Sequence, residues 1–176
     1  MPLIGIQRDE PDEKLDVVDA EDNVLQTLTK KDAYEGGHRV RIVSIAVVDP
    51  ETGKIAAVRR GRTLSWQPLH YAISACGHVG AGETWEKAAQ REMMEELGVA
   101  APLRFIGKAA FDDTLGQRFM LGNFVAEVAH DALKPSAREV DDLFWMTPEE
   151  FRALLEKGGK IHNVLPPVAE CVLAAL

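Results

Sequence analysis

Gly77-His78-Val79-Gly80-Ala81-Gly82-Glu83-Thr84-Trp85-Glu86-Lys87-Ala88-Ala89-Gln90-Arg91-Glu92-Met93-Met94-Glu95-Glu96-Leu97-Gly98-Val99 carries more chemistry than the rest of the chain. A glycine-rich turn runs into a short amphipathic helix, with Thr84 placed as N-cap and Gly98 as the left-handed residue that ends it. Glu92, Glu95 and Glu96 are spaced i, i+3 and i+4, so their carboxylates gather on one side of that helix. Like charges at this spacing cost about a few tenths of a kcal/mol each. A helix selected for stability alone would alternate the signs. A hard cation among the carboxylates gives them a purpose, because Mg²⁺ and Mn²⁺ take oxygen ligands and often bridge to substrate phosphates. The competing reading is a solvated acidic face.

Upstream, Leu15–Asp19 and Val24–Leu28 alternate as strands around the turn at residues 20–23, which predicts a hairpin. Residues 1–14 are polar and read as a loose arm, leaving 15–176 as a single domain. Lys30–Glu35 suits a short helix stopped by Gly36 and Gly37. The β-branched run Val40–Val48 predicts a central strand, and Lys54–Arg59 returns from the turn at residues 49–53. Tyr71–Cys76 reads as one further strand leading to the glycine turn. Downstream, Leu103–Phe111 and Phe119–Val128 flank the turn at residues 112–116, and Val140–Met146 forms a last strand. Thr147, Pro148 and Glu150 make a strong helix start, and a final helix spans Pro166–Leu176. Strands interspersed with helices predict a mixed sheet covered by helices.

With 176 residues, 46% hydrophobic and 27% charged, the chain has the composition of one soluble globular domain. A net charge of −8 argues against a nucleic-acid polymer as partner, while nucleotide substrates stay open because divalent cations can reverse the local sign. No apolar run reaches the ~20 residues needed to span a bilayer, so no membrane partner is expected. The N-terminus has no basic leader with a long apolar core, so no signal peptide is expected. Two distant cysteines, Cys76 and Cys171, point to a reduced, cytoplasmic setting.

Gly77, Glu83, Arg91, Glu92, Met93, Glu95, Glu96, Gly98 and Val99 fill every defined position of the Nudix box. The chain resembles the Nudix hydrolases over roughly Leu15 to Leu155. The resemblance implies an α+β fold of the α/β/α sandwich type around a mixed β-sheet. It implies metal-dependent hydrolysis of a diphosphate bond, in a nucleoside diphosphate linked to another moiety. It also implies Glu92, Glu95 and Glu96 as ligands of Mg²⁺ (or Mn²⁺), with Arg91 holding these carboxylates in place and pairing with Glu83. The Cys76 carbonyl matches a further ligand position. Some family members carry a late glutamate as base or extra ligand, a role that falls here to Glu139, with Glu96 the alternative base and Glu127 a weaker rival. Arg59, Arg60 and Arg62 stand where relatives often carry arginine. Guanidinium forks suit phosphate oxygens, so Arg59 or Arg60 is expected to contact substrate, although surface arginines also serve solubility. Trp66, Tyr71 and Phe119 are assigned to packing rather than base stacking. Relatives often form homodimers.

Cys76-Gly77-His78, with the N-terminal hairpin and His38, also resembles isopentenyl-diphosphate isomerases of the same superfamily. In those enzymes the cysteine is an acid/base, paired with a glutamate on a later strand. Here that strand reads Leu115-Gly116-Gln117-Arg118-Phe119, with no glutamate. Moving protons on and off carbon needs two placed groups, and one is found. The reading is therefore a hydrolase from the isomerase-like branch, with Cys76 a small buried residue and His78 a loop residue near substrate. An isomerase and a non-catalytic nucleotide-binding domain remain the alternatives.

Overall fold

The structure is a computed structural model that describes residues 9–176, so the loose arm expected over residues 1–14 lies, for residues 1–8, outside the described residues. Strands β1 (Lys14–Val18) and β2 (Val24–Thr29) form the expected hairpin. The Asp19 carboxylate closes its turn by accepting the N–H groups of Glu21 and Asn23. Helix α1 (Lys30–Glu35) follows, capped by Thr29. The central strand β3 (Arg39–Val48) pairs in parallel with β8 (Arg118–Glu127), from Arg39 opposite Arg118 to Val48 opposite Glu127. On its other edge β3 runs antiparallel to β6 (Ala75–His78). Strand β7 (Leu103–Asp112) pairs with β8, while β4 (Ile55–Arg60) lies between β5 (Tyr71–Ile73) and β9 (Val140–Met146).

Along β3, side chains alternate between two cores, as the strand period of two requires. Ile42, Ala46 and Val48 pack with Ala33 and Tyr34 of α1 and with Val168, Ala169 and Val172 of α4 (Leu165–Ala175). Val43, Ile45 and Val47 pack with Ala88, Ala89, Met93 and Leu97 of α2 (Trp85–Leu97). Each buried aliphatic side chain contributes about 1.5–3 kcal/mol. The result is the α/β/α sandwich around a mixed sheet. Helix α3 (Pro148–Lys157) begins with the full Thr147/Glu150 capping box and inserts Phe151 into the α4-side core. No helix among the described residues is long and apolar enough to cross a membrane.

The stretch expected as one strand, Tyr71–Cys76, is two. β3 and β4 touch only at Val48 opposite Ile55, and the chain changes partner in the gap between them. Up to Ile73 it pairs with β4; from Ala75 it pairs with β3. Ser74 sits at the crossing, where its hydroxyl accepts the Val47 N–H (2.8 Å) and donates to the Ala56 carbonyl (2.5 Å). A buried side chain thus satisfies backbone groups that no ladder reaches.

Candidate active site

The glycine turn and α2 form one wall of a cleft of about 390 Å³. Thr84 caps α2 by accepting the Lys87 N–H, and Gly98 ends it with φ +64°. Glu92, Glu95 and Glu96 line this wall, with Cys76–His78 of β6 at the base. Arg60 comes from the end of β4, and Lys30 from the start of α1. Glu139 arrives by a different route. The segment before β9 docks on the end of α2, where Ser136 N–H donates to Glu96 O and Lys134 N–H to Leu97 O, both at 2.8 Å. Carbonyls that a helix terminus leaves unpaired are satisfied, and Glu139 is delivered to the cleft rim.

Arg91 organises the acids. Its Nε and Nη2 donate to the two Glu83 oxygens at 2.9 and 3.0 Å, and Nη2 also reaches the His78 carbonyl at 2.9 Å. Its Nη1 donates to Glu92 at 2.6 Å and to Glu95 at 3.4 Å. The fork is fully used, which a lysine would not reproduce. Burial pushes the Glu92 carboxyl up to about 7 against the pull of Arg91, with Glu95 adding to the rise. Glu96, which accepts the Cys76 N–H at 3.4 Å, is raised well above the carboxylate range by burial and then by Glu92.

The donor set is made of carboxylate oxygens, the chemistry of a hard divalent cation, and positive charge among Glu92 and Glu96 would restore their ionised forms. As the side chains stand, Arg91 engages Glu92 and Glu95. Among the described residues no three acidic, imidazole or thiol groups close around one point.

The structure separates Arg59 from Arg60. Neighbouring strand residues face opposite ways, and only Arg60 lines the cleft. Arg59 donates to Asp141 at 2.7–2.8 Å and lies 3.7 Å from Asp142. Among the described residues the buried Arg60 Nε has no partner, while its Nη2 donates to the Trp66 carbonyl at 3.1 Å. His78 is buried rather than a loop residue, 2.6 Å from the Tyr34 hydroxyl, and burial followed by the charges of Lys30 and Arg91 keeps its imidazole neutral. Burial, with Glu96 next, pushes the Cys76 thiol up to about 12, and Ser44 donates to its sulfur at 3.7 Å.

Lys30 and Glu13 were not singled out in the sequence, yet they face the acidic wall as a pair 3.3 Å apart. Lys30 is buried at the start of α1, a placement that no local motif announces. Arg60 and Cys76–His78 also border a second, smaller and partly open chamber of about 20 Å³, lined by Tyr34, Ile42, Trp66, Phe119 and Val164. His162 and Asn163 reach it from the α3–α4 connection.

The NUDIX domain family matches residues 38–166. An uncharacterized Nudix hydrolase of Streptomyces coelicolor is 38% identical over 131 residues, covering 73% of this chain and 71% of that protein. A prenyl-diphosphate phosphatase of Methanosarcina mazei is 28% identical over 159 residues, covering 89% and 91%. Among solved structures, DR0079 of Deinococcus radiodurans superposes with a TM-score of 0.71 at 24% identity, over 93% of this chain and 98% of that one. Nudix hydrolases generally use divalent metal ions, and the NUDIX domain of Shewanella oneidensis NrtR, of the same fold, has been seen in complex with ADP ribose. With its box intact and its fold shared over nearly its whole length, this chain belongs to the Nudix hydrolase family.

Proposed function

We propose that the chain hydrolyses a small-molecule diphosphate with Mg²⁺ or Mn²⁺ held by Glu92, Glu95 and Glu96. One arrangement carries the reading: the carboxylate wall of α2 faces Arg60 and Lys30 across a single cleft. The cation, when bound, neutralises the diphosphate and lowers the pKa of water. Arg60 and Lys30 supply donors for phosphate oxygens, and Arg91 positions the carboxylates through Glu83 and Glu92. Glu96 or Glu139 takes the proton of the attacking water. A new P–O bond forms as the bridging P–O bond breaks, and its electron pair leaves with the departing phosphate.

The substrate is a nucleoside diphosphate joined to another moiety, handled in the cytoplasm by a monomer or a homodimer. A second reading, a prenyl diphosphate, is favoured by the aromatic and aliphatic walls of the inner chamber and by the Methanosarcina mazei relative. An isomerase is disfavoured. The Cys76 thiol keeps its proton, and among the described residues none of the side chains lining the chamber is a carboxylate that could serve as its partner.

Phosphate or nucleotide release is to be measured on nucleoside di- and triphosphates, ADP-ribose and isopentenyl diphosphate, with and without Mg²⁺. Glu96→Gln should lower turnover at least ~100-fold with the fold intact. Near-normal turnover in that variant would overturn the metal assignment. Binding without release would make the domain a sensor.

A further inference from the structure

Asn163 spends its side chain on two loops that are distant in sequence. Its Nδ2 donates to Asp113 Oδ2 at 2.7 Å and to Gln117 Oε1 at 3.1 Å, both in the β7–β8 turn. Its Oδ1 accepts from Trp66 Nε1 at 3.3 Å in the β4–β5 loop, and its backbone N–H donates to Gln67 Oε1 at 2.9 Å. Asn163 itself stands on the α3–α4 connection, which is fastened to β5 where His162 N–H meets the Tyr71 carbonyl and Tyr71 N–H meets that of Lys160. One carboxamide, with both donors and its acceptor used, ties three loops together.

The loop it holds is not relaxed. Gln67 and Leu69 have φ of +44° and +59°, a region that side chains other than glycine rarely occupy unless the surroundings impose it. The Gln67 side chain is held by the Asn163 backbone N–H, a bond that does not depend on the side chain at 163.

These loops wall the inner chamber. Trp66, Gln117 and Asn163 line it together with Tyr34, Ile42 and Phe119. The chamber is small, about 20 Å³, and partly open. It meets the diphosphate cleft at Arg60, whose Nη2 is bonded to the same loop and whose buried Nε has no partner among the described residues. The chamber wall is mostly aromatic and aliphatic carbon, with neutral imidazoles at His78 and His162. Its chemistry suits an uncharged, carbon-rich group.

We propose that Asn163 is a specificity-determining residue, whose tie sets the depth of the inner chamber and limits the group attached to the diphosphate to a short, carbon-rich one. The proposal rests on the diphosphate-hydrolase reading in its second form, a prenyl diphosphate, and names the half of the substrate that the carboxylate wall does not select.

The test is kcat and KM on isopentenyl, geranyl and farnesyl diphosphate with Mg²⁺, for the wild type, Asn163→Ala and Asn163→Asp. The wild type should favour the shortest chain. Asn163→Ala should raise the geranyl-to-isopentenyl ratio of kcat/KM by roughly tenfold or more, mainly through a lower KM for the longer chain. Asn163→Asp keeps the acceptor for Trp66 but sets a carboxylate against Asp113, so it should release only the β7–β8 turn and give an intermediate ratio. It also carries the test should Asn163→Ala fail to fold. A ratio unchanged in the folded variants, or a wild type indifferent to chain length, would overturn the proposal and leave the hydrolase reading standing. Cleavage of nucleotides alone would do the same. Release from no diphosphate at all would overturn the hydrolase reading and the proposal with it.

Discussion

Gly77 stands directly behind the Glu92 carboxylate: a Cβ at position 77 would lie 2.1 Å from Glu92 Cδ and 2.2 Å from Oε1. The first glycine of the box is therefore read as space for a carboxylate, since its own backbone is not in the left-handed region. Gly77→Ala should leave a cooperative fold, because the obstructing atoms end a side chain that can swing, at a cost within about 1–3 kcal/mol. Displacing Glu92 should lower metal-dependent turnover roughly 10- to 100-fold. A thermal melt beside kcat at saturating Mg²⁺ checks both halves, and full activity would contradict the role given to Glu92.

Arg60 joins the cleft to the chamber with a buried Nε that has no acceptor among the described residues. Arg60→Lys keeps the charge and loses the fork. KM for the best diphosphate should rise about tenfold, the equivalent of one charge-assisted hydrogen bond. The same change at Arg59, already engaged by Asp141, should leave KM where it was. Equal effects at both positions would remove the distinction between them.

His162 is buried, and burial followed by the nearby charges of Arg60 and His70 holds its pKa well below 6.5. In the unfolded chain it takes up a proton near pH 6.5 that the folded state refuses. Its contribution to stability is therefore complete above that pH and is lost as the pH falls toward the folded value. Glu92 and Glu96, raised by burial, work in the opposite direction over part of this range. The comparison that isolates the histidine is wild type against His162→Gln. The gap in urea stability should narrow on acidification by up to about 1.4 kcal/mol per pH unit, and a constant gap would refute the assignment.

Asp22 fastens the hairpin turn to the body of the sheet. With φ +71°, it accepts from Arg41 Nε at 2.6 Å, from Lys108 and, at 3.4 Å, from Trp85 Nε1. Asp22→Asn tolerates the backbone and removes the charge shared by two cations, a loss of about 1.5–3 kcal/mol. For a chain of this size the midpoint of thermal unfolding should fall by roughly 3–12 °C, with activity at low temperature kept. An unchanged midpoint would show the cluster to be idle.

Local chemistry made most elements legible. Thr84, Thr147 and Gly98 act on their own neighbours, so the ends of α2 and the start of α3 could be read directly. An unbroken β-branched run placed β3 at the centre, because a strand buried on both faces needs no polar side. The break at Ser74 was illegible, since it depends on β3 and β4 diverging elsewhere in the chain. The carboxylate wall was legible for the same reason as the helix that bears it. Lys30, Trp66 and Asn163 were not, because each reaches the site through tertiary packing and stands in no motif.

The parallel ladder between β3 and β8 has a consequence for how the molecule is made. Across this edge Arg39 is paired with Arg118 and Val48 with Glu127, so the middle of the sheet stays open on one side until β8 has been synthesised. The box helix and its carboxylates are complete well before then, yet Val43, Ile45 and Val47 cannot be sealed beneath α2 without Phe124 of the late strand. Assembly of the carboxylate wall is thus tied to a long-range pairing that forms late and closes a costly loop, a topology that slows folding. A nascent chain stopped short of β8 would show its most apolar strand to the cell.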